Sequence, residues 1–293
     1  MAKKQSQAEA ESPSTRKREA TVRAMYRKLA RAWGRQHWWP AETRFEVIAG
    51  AILTQNTSWT NVERALASLR AAGRLSVAGI RKVPLPELEQ LIRSSGYFRQ
   101  KAQRLKNFVA FLNARYGGSL ERMFAAPTEE LRQRLLELNG IGPETADSIL
   151  LYAGNHATFV VDAYTRRILA RHGATSAAAK YDDIRSLVEH ALRSEPPLPS
   201  AHRPLESHRP EAHPPSAMST RDRSSLAQVY NEMHGLFVQV GKHYCHTQEA
   251  KCASCPLEPM LGGKPPEETA PSKRRRRQTR SHLAGNIHSP GRG

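Results

Sequence analysis

The stretch LNGIGPETADSILLYAG, residues 138–154, reads as two helices joined by a tight turn, Gly140-Ile141-Gly142. Glycine reaches positive φ without strain and lets another group approach the backbone where a Cβ would stand in the way. Pro143 suits the first position of the second helix, where its missing N–H costs nothing. Turn amides at the positive end of a helix make an anion site. Such a site holds a phosphate backbone without reading sequence. A glycine turn between packed helices, with no ligand, is the plain alternative. Asp162 follows in FVVDAYTRRILARHG, residues 159–173, between an apolar run and an amphipathic helix. It fits the N-cap of that helix. A carboxylate fixed at a helix mouth beside a bound sugar could stabilise a cation at C1′ and activate water there.

The rest of the 293-residue chain is patterned the same way. Helical periodicity runs over about 19–34, from Phe45 through FEVIAGAILTQ, and over about 58–72, 84–94, 99–116, 128–137, 143–154, 163–171, 181–193 and 224–241. Strand-like alternation is nearly absent, so an all-α fold is expected. Pro40, in WWP at 38–40, is read as the stop of the first helix. Residues 1–18 read as a disordered tail and 194–223, rich in Pro, His and Ser, as a flexible insertion. Residues 262–293, with KRRRR at 273–277, read as a basic tail.

The formal net charge is +18, and about +10 of it lies on the body between residues 20 and 262. A polyanionic partner is therefore expected. No segment approaches a membrane span or a secretory signal. The expectation is a cytoplasmic, nucleoid-associated protein. The three cysteines all fall between 245 and 255, a metal-site pattern rather than a disulfide framework.

LNGIGPETA followed by VVDAYTRRIL resembles the helix-hairpin-helix and Gly-Pro-Asp region of the endonuclease III superfamily. The likeness extends to AILTQNTSWTNVERAL (51–66), SGYFRQKAQRLKNFVAFL (95–112) and HGLFVQVGKHYC (234–245). It implies a two-domain, all-α DNA glycosylase fold acting as a monomer on double-stranded DNA with a damaged base. A six-helix barrel would span 36–156. The second domain would combine an N-terminal helix, 19–35, with 157–261. The implied chemistry is cleavage of an N-glycosidic bond after base flipping. By the same resemblance Asp162 is the catalytic carboxylate, Gly140, Ile141 and Gly142 hold a phosphate, and Gln55 probes the space left by the flipped base. Lys101 is a further candidate phosphate contact.

Two departures qualify the likeness. Glu144 stands where bifunctional members carry the lysine that attacks C1′, and a carboxylate cannot form an imine. A monofunctional enzyme is therefore expected. That pattern, with WWP and QNTSW, resembles the 3-methyladenine glycosylase branch, in which aromatic rings stack on an alkylated, often cationic base. Trp38, Trp39 and Trp59 are the candidate stacking residues. The alternatives are a bifunctional glycosylase and AP lyase on oxidised pyrimidines, with Lys101 as a stand-in amine, and a non-catalytic helix-hairpin-helix DNA-binding protein. The second departure is Cys245-x6-Cys252-x2-Cys255, which matches the family's [4Fe–4S] loop until Leu261 takes the place of its fourth cysteine. A cluster with an incomplete ligand set, a metal-free loop, and zinc held with His243 or His246 are the three readings of it.

Overall fold

The computed structural model describes residues 13–199 and 213–266, and among them no strand forms, only an isolated bridge between Cys245 and Ala250. Twelve α-helices follow in order among the described residues: α1 (Pro13–Trp33), α2 (Arg44–Leu53), α3 (Trp59–Ala71), α4 (Val77–Lys82), α5 (Leu85–Leu91), α6 (Phe98–Tyr116), α7 (Leu120–Phe124), α8 (Thr128–Leu136), α9 (Pro143–Ser148), α10 (Ala163–Arg171), α11 (Tyr181–Leu192) and α12 (Ser225–His243). A π-helical turn, Ile149–Ala153, continues α9. The all-α expectation holds. Two short helices, α4 and α7, are not visible as periodic patterns, because five or six residues are too few to repeat an apolar stripe.

α2 is buried from Phe45 to Leu53, as an apolar-all-round sequence requires. Thr43 caps it by accepting from the Glu46 amide at 3.1 Å. Each fully buried Ile or Leu here contributes roughly 1.5–3 kcal/mol relative to exposure. α3, α6, α9 and the π turn pack around it. A second buried axis is α12, whose residues from Val229 to Gly241 are all buried, and against which α1, α10 and α11 pack. Trp33 of α1 stacks on Tyr244 just beyond α12, ring centroids 5.8 Å apart.

Three boundaries differ from expectation. α1 starts at Pro13, inside the stretch read as a tail, where a proline favours a first turn. It stops at Gly34, in the left-handed region at φ 70°, six residues before Pro40. The insertion is also partly packed. Glu195, buried, forms a bidentate pair with Arg27 (2.9 and 2.6 Å), and Leu198 O accepts from Arg35. On the other flank, Met218 N donates to Ala41 O at 3.0 Å and the His213 ring lies 5.4 Å from Trp38. Charge pairs and backbone acceptors hold these flanks, and apolar patterning does not report them. Residues 1–12, 200–212 and 267–293, including KRRRR, lie outside the described residues.

Candidate active site

The hairpin joins α8 to α9 as the sequence implies, with Gly140 at φ 84°. Ile141 departs from its assigned role: its side chain is 5% exposed and its amide donates to Leu138 O at 3.0 Å. It anchors the turn from inside. Gly142 is exposed, and nothing lies within 4 Å of where its Cβ would be, so a phosphate can reach it. Gln55, just past α2, donates to Gly140 O and to Thr145 Oγ1, both at 2.9 Å, and accepts from Arg104. It therefore ties the core helix to the hairpin. Beneath the turn, Arg132 of α8 grips Asp147 of α9 through two hydrogen bonds of 2.7 and 3.1 Å, and both are buried. No local pattern in the chain marks this pair.

Lys101 is not at the surface. It is 1% exposed, and its Nζ donates to Leu53 O at 2.8 Å and to Ser95 O, closing the carboxyl end of α2. Burial, then the neighbouring Arg104, lowers its pKa to about 8. This corrects the expected phosphate contact. The cation at the hairpin is Arg104, one turn further along α6, which sequence reasoning missed.

A cleft of about 790 Å³ opens between these elements, lined by Gln55, Arg104, Gly140, Gly142, Glu144 and Ala163 among others. A larger groove of about 1210 Å³ lies between α1 and the cysteine loop, away from Asp162, and holds none of these residues. Asp162 caps α10, its Oδ1 accepting from Thr165 N at 2.7 Å, as expected of an N-cap. Its other oxygen lies 3.9 Å from Nε2 of the buried His234. Glu144 is exposed as a side chain, yet its carboxyl is crowded by the cleft wall. That desolvation, helped by the Asp162 charge and offset by Arg166, raises its pKa to about 7.

Behind Asp162 is an aromatic cluster. Trp39 meets Trp59 and Trp38 edge-on, at 5.0 and 5.6 Å, and lies tilted against Tyr152 at 5.2 Å. Trp38 and Trp39 are buried and Trp59 partly so. The Trp38 and Trp39 indole N–H groups and the Tyr152 hydroxyl are buried without a well-formed hydrogen bond. Burial, then the Asp162 charge, holds the Tyr152 hydroxyl well above its usual range. Tyr152 was missed in the sequence because it reads as one apolar residue among many in ILLYA.

Residues 49–194 match the HhH-GPD superfamily base excision DNA repair protein model. A Methanocaldococcus jannaschii protein, MJ1434, provisionally named a DNA repair glycosylase, is 40% identical across 80% of this chain and 92% of its own. The chain belongs to the HhH-GPD superfamily. Among solved structures, this HhH-GPD glycosylase-family chain is similar to the H. pylori 3-methyladenine DNA glycosylase bound to 1,N6-ethenoadenine (28% identity, TM-score 0.58, 78% of this chain and 97% of that one). A trapped endonuclease III–DNA covalent intermediate shares the fold (20% identity, TM-score 0.61, 82% and 93% covered). Among the described residues, no helix is long and apolar enough to cross a membrane.

The cysteine loop does not fit the cluster that endonuclease III likeness implies. Leu261 borders the same small cavity as Cys245, Cys252 and Cys255 and offers no ligand atom. Arg171 donates to Cys245 Sγ at 3.2 Å and to His246 O at 2.7 Å, holding the loop with a guanidinium. Among the described residues no group of three or more His, Cys, Asp or Glu side chains converges on a metal position, and neither His243 nor His246 completes one.

Proposed function

We propose that this HhH-GPD protein is a monofunctional DNA glycosylase that removes an alkylated base flipped out of duplex DNA, with Asp162 as its catalytic carboxylate. The observation that carries the reading is the placement of Asp162. One oxygen is fixed by the α10 cap and the other is directed to the edge of an aromatic cluster, beside the hairpin. As the C1′–N bond breaks, its electron pair leaves with the base, and the sugar cation is stabilised by the carboxylate. Water then attacks C1′ and gives up its proton to Asp162 or solvent. Of the aromatic cluster, the partly buried Trp59 is the ring placed to stack on a cationic purine, and Trp38, Trp39 and Tyr152 behind it hold N–H and O–H donors for the base's acceptors. Gly142 and Arg104 meet the phosphates, and Gln55 stands at the vacated stack. The molecule reads as two lobes, a six-helix barrel over about 36–156 and a second body of α1 with α10–α12, with DNA between them.

Glu144 at the lysine position supports hydrolysis without strand cleavage. Lys101, the other candidate amine, has its Nζ engaged by two carbonyls in the interior, which argues against the lyase reading. The test is release of base from duplexes carrying 3-methyladenine, 1,N6-ethenoadenine, thymine glycol or uracil, with and without later alkali. Release of the alkylated purines, with strand breaks only after alkali and none in Asp162→Asn, is expected. Direct nicking trapped by borohydride would overturn the monofunctional reading. Tight DNA binding with no release from any duplex would favour a non-catalytic binder.

A further inference from the structure

His234 lies on α12, 72 residues beyond Asp162, and reads in sequence as one more buried position of that helix. Its ring is packed among Trp38, Tyr152 and Phe159, at centroid distances of 5.9, 5.7 and 6.3 Å. Nδ1 sits 3.1 Å from Val160 O. A carbonyl has no proton to give, so Nδ1 carries the proton and donates it. In the neutral ring Nε2 is then a bare lone pair, and it faces Asp162 Oδ2 at 3.9 Å. The other Asp162 oxygen is already occupied by the Thr165 amide. The two facing acceptors leave one position for a proton between them.

We propose that His234 sets the charge Asp162 presents to the reacting sugar: neutral, it leaves the carboxylate anionic and effective; protonated at Nε2, it becomes the carboxylate's ion-pair partner and cancels it. This rests on Asp162 being the catalytic carboxylate. His234 acts through Asp162 and is a positioning residue. Burial lowers the affinity of the ring for a proton by more than Asp162 and the Val160 carbonyl raise it, so the ring is held neutral until the solution turns acidic. The titratable groups that interact with Asp162 are Glu144 from α9, Tyr152 from the π turn and Tyr164 from α10; one step further out, Arg166 faces Glu144, Arg223 faces Tyr152, and Lys242 and His213 lie against the Trp38 ring that packs on His234. Glu144 also titrates near neutrality, so the test must separate the two.

Two measurements do so. Histidine-15N NMR of the full chain, titrated from pH 8 to 5, is expected to show the Nδ1-protonated tautomer at the alkaline end and proton uptake at Nε2 on acidification. In Asp162→Asn the midpoint should fall by about one pH unit, since the attracting charge is gone. A neutral ring protonated at Nε2, or a midpoint indifferent to Asp162→Asn, would overturn the proposal. The second is single-turnover release from an alkylated-purine duplex over the same range. Wild type should lose about tenfold per pH unit below the midpoint. His234→Asn, which can keep the donor to Val160, should vary by less than twofold, while Glu144→Gln keeps the acid limb. Retention of the limb in His234→Asn would also overturn it. The NMR result decides if His234→Asn does not fold. An active Asp162→Asn would refute the catalytic reading separately, without bearing on the tautomer.

Discussion

The side chain of Arg104 occupies the space into which a Cβ on Gly140 would project, and its guanidinium bonds Gln55 beside the same turn. Gly140 is therefore required twice, by its φ of 84° and by the arginine over it. Gly140→Ala should cost about 1–2 kcal/mol from the backbone alone. By displacing Arg104, it should also weaken duplex binding about tenfold. Chemical denaturation and fluorescence anisotropy on undamaged duplex check the two effects.

Lys101 and Arg104 should behave oppositely although one helical turn separates them. Lys101→Ala leaves the buried Leu53 and Ser95 carbonyls without their donor, and is expected to cost about 1–3 kcal/mol of stability. Its salt dependence of DNA binding should match wild type. Arg104→Ala should instead lower the slope of log K against log salt by about 0.9, the signature of one lost phosphate contact.

The Arg132–Asp147 pair holds the hairpin to its foundation. Arg132→Met leaves Asp147, fully buried, without its ion-pair partner and with Tyr181 as its remaining side-chain hydrogen bond, and should destabilise the protein by about 3–5 kcal/mol. The double variant Arg132→Met, Asp147→Leu should recover part of that loss. Urea unfolding of wild type, Arg132→Met, Asp147→Leu and the double variant, read as a cycle, measures the coupling.

Glu144 gives a pH signature of binding. Its carboxyl takes up a proton as pH falls through about 7, removing a negative charge from the cleft proposed to meet phosphates. Duplex affinity should therefore rise about two- to fivefold between pH 8 and 6 at constant ionic strength, a small effect because the side chain is exposed and screened. Glu144→Gln should bind with little pH dependence. Glu144→Lys should yield a species on damaged duplex that borohydride traps, which wild type does not.

The hairpin, the Asp162 cap and the buried α2 were legible in sequence because each is local: a glycine turn, a polar residue before a helix, an unbroken apolar run. Relationships across the chain were not. Periodicity along α6 marks a helix but does not say that Lys101 faces the α2 terminus while Arg104 faces the hairpin. Arg132 and Asp147 look like ordinary surface charges until the turn folds them together. His234 sits in an apolar helix and shows its importance only through what stands opposite it. The 194–223 segment is poor in apolar residues, and its flanks are held by Arg27, Arg35 and Ala41 from far away in the chain.

The packing of α1 against α11 and α12 has a consequence for how the protein is made. α1 leaves the ribosome some 190 residues ahead of α12, so its seat against α11 and α12 is complete only when α12 has been made. The hairpin and the core around α2 have every residue they need well before that point. A nascent chain can thus hold a formed hairpin while α12, and His234 with it, is still unsynthesised. Pairings over such separations are slow to close. Competence for chemistry arrives late, with the synthesis of α12.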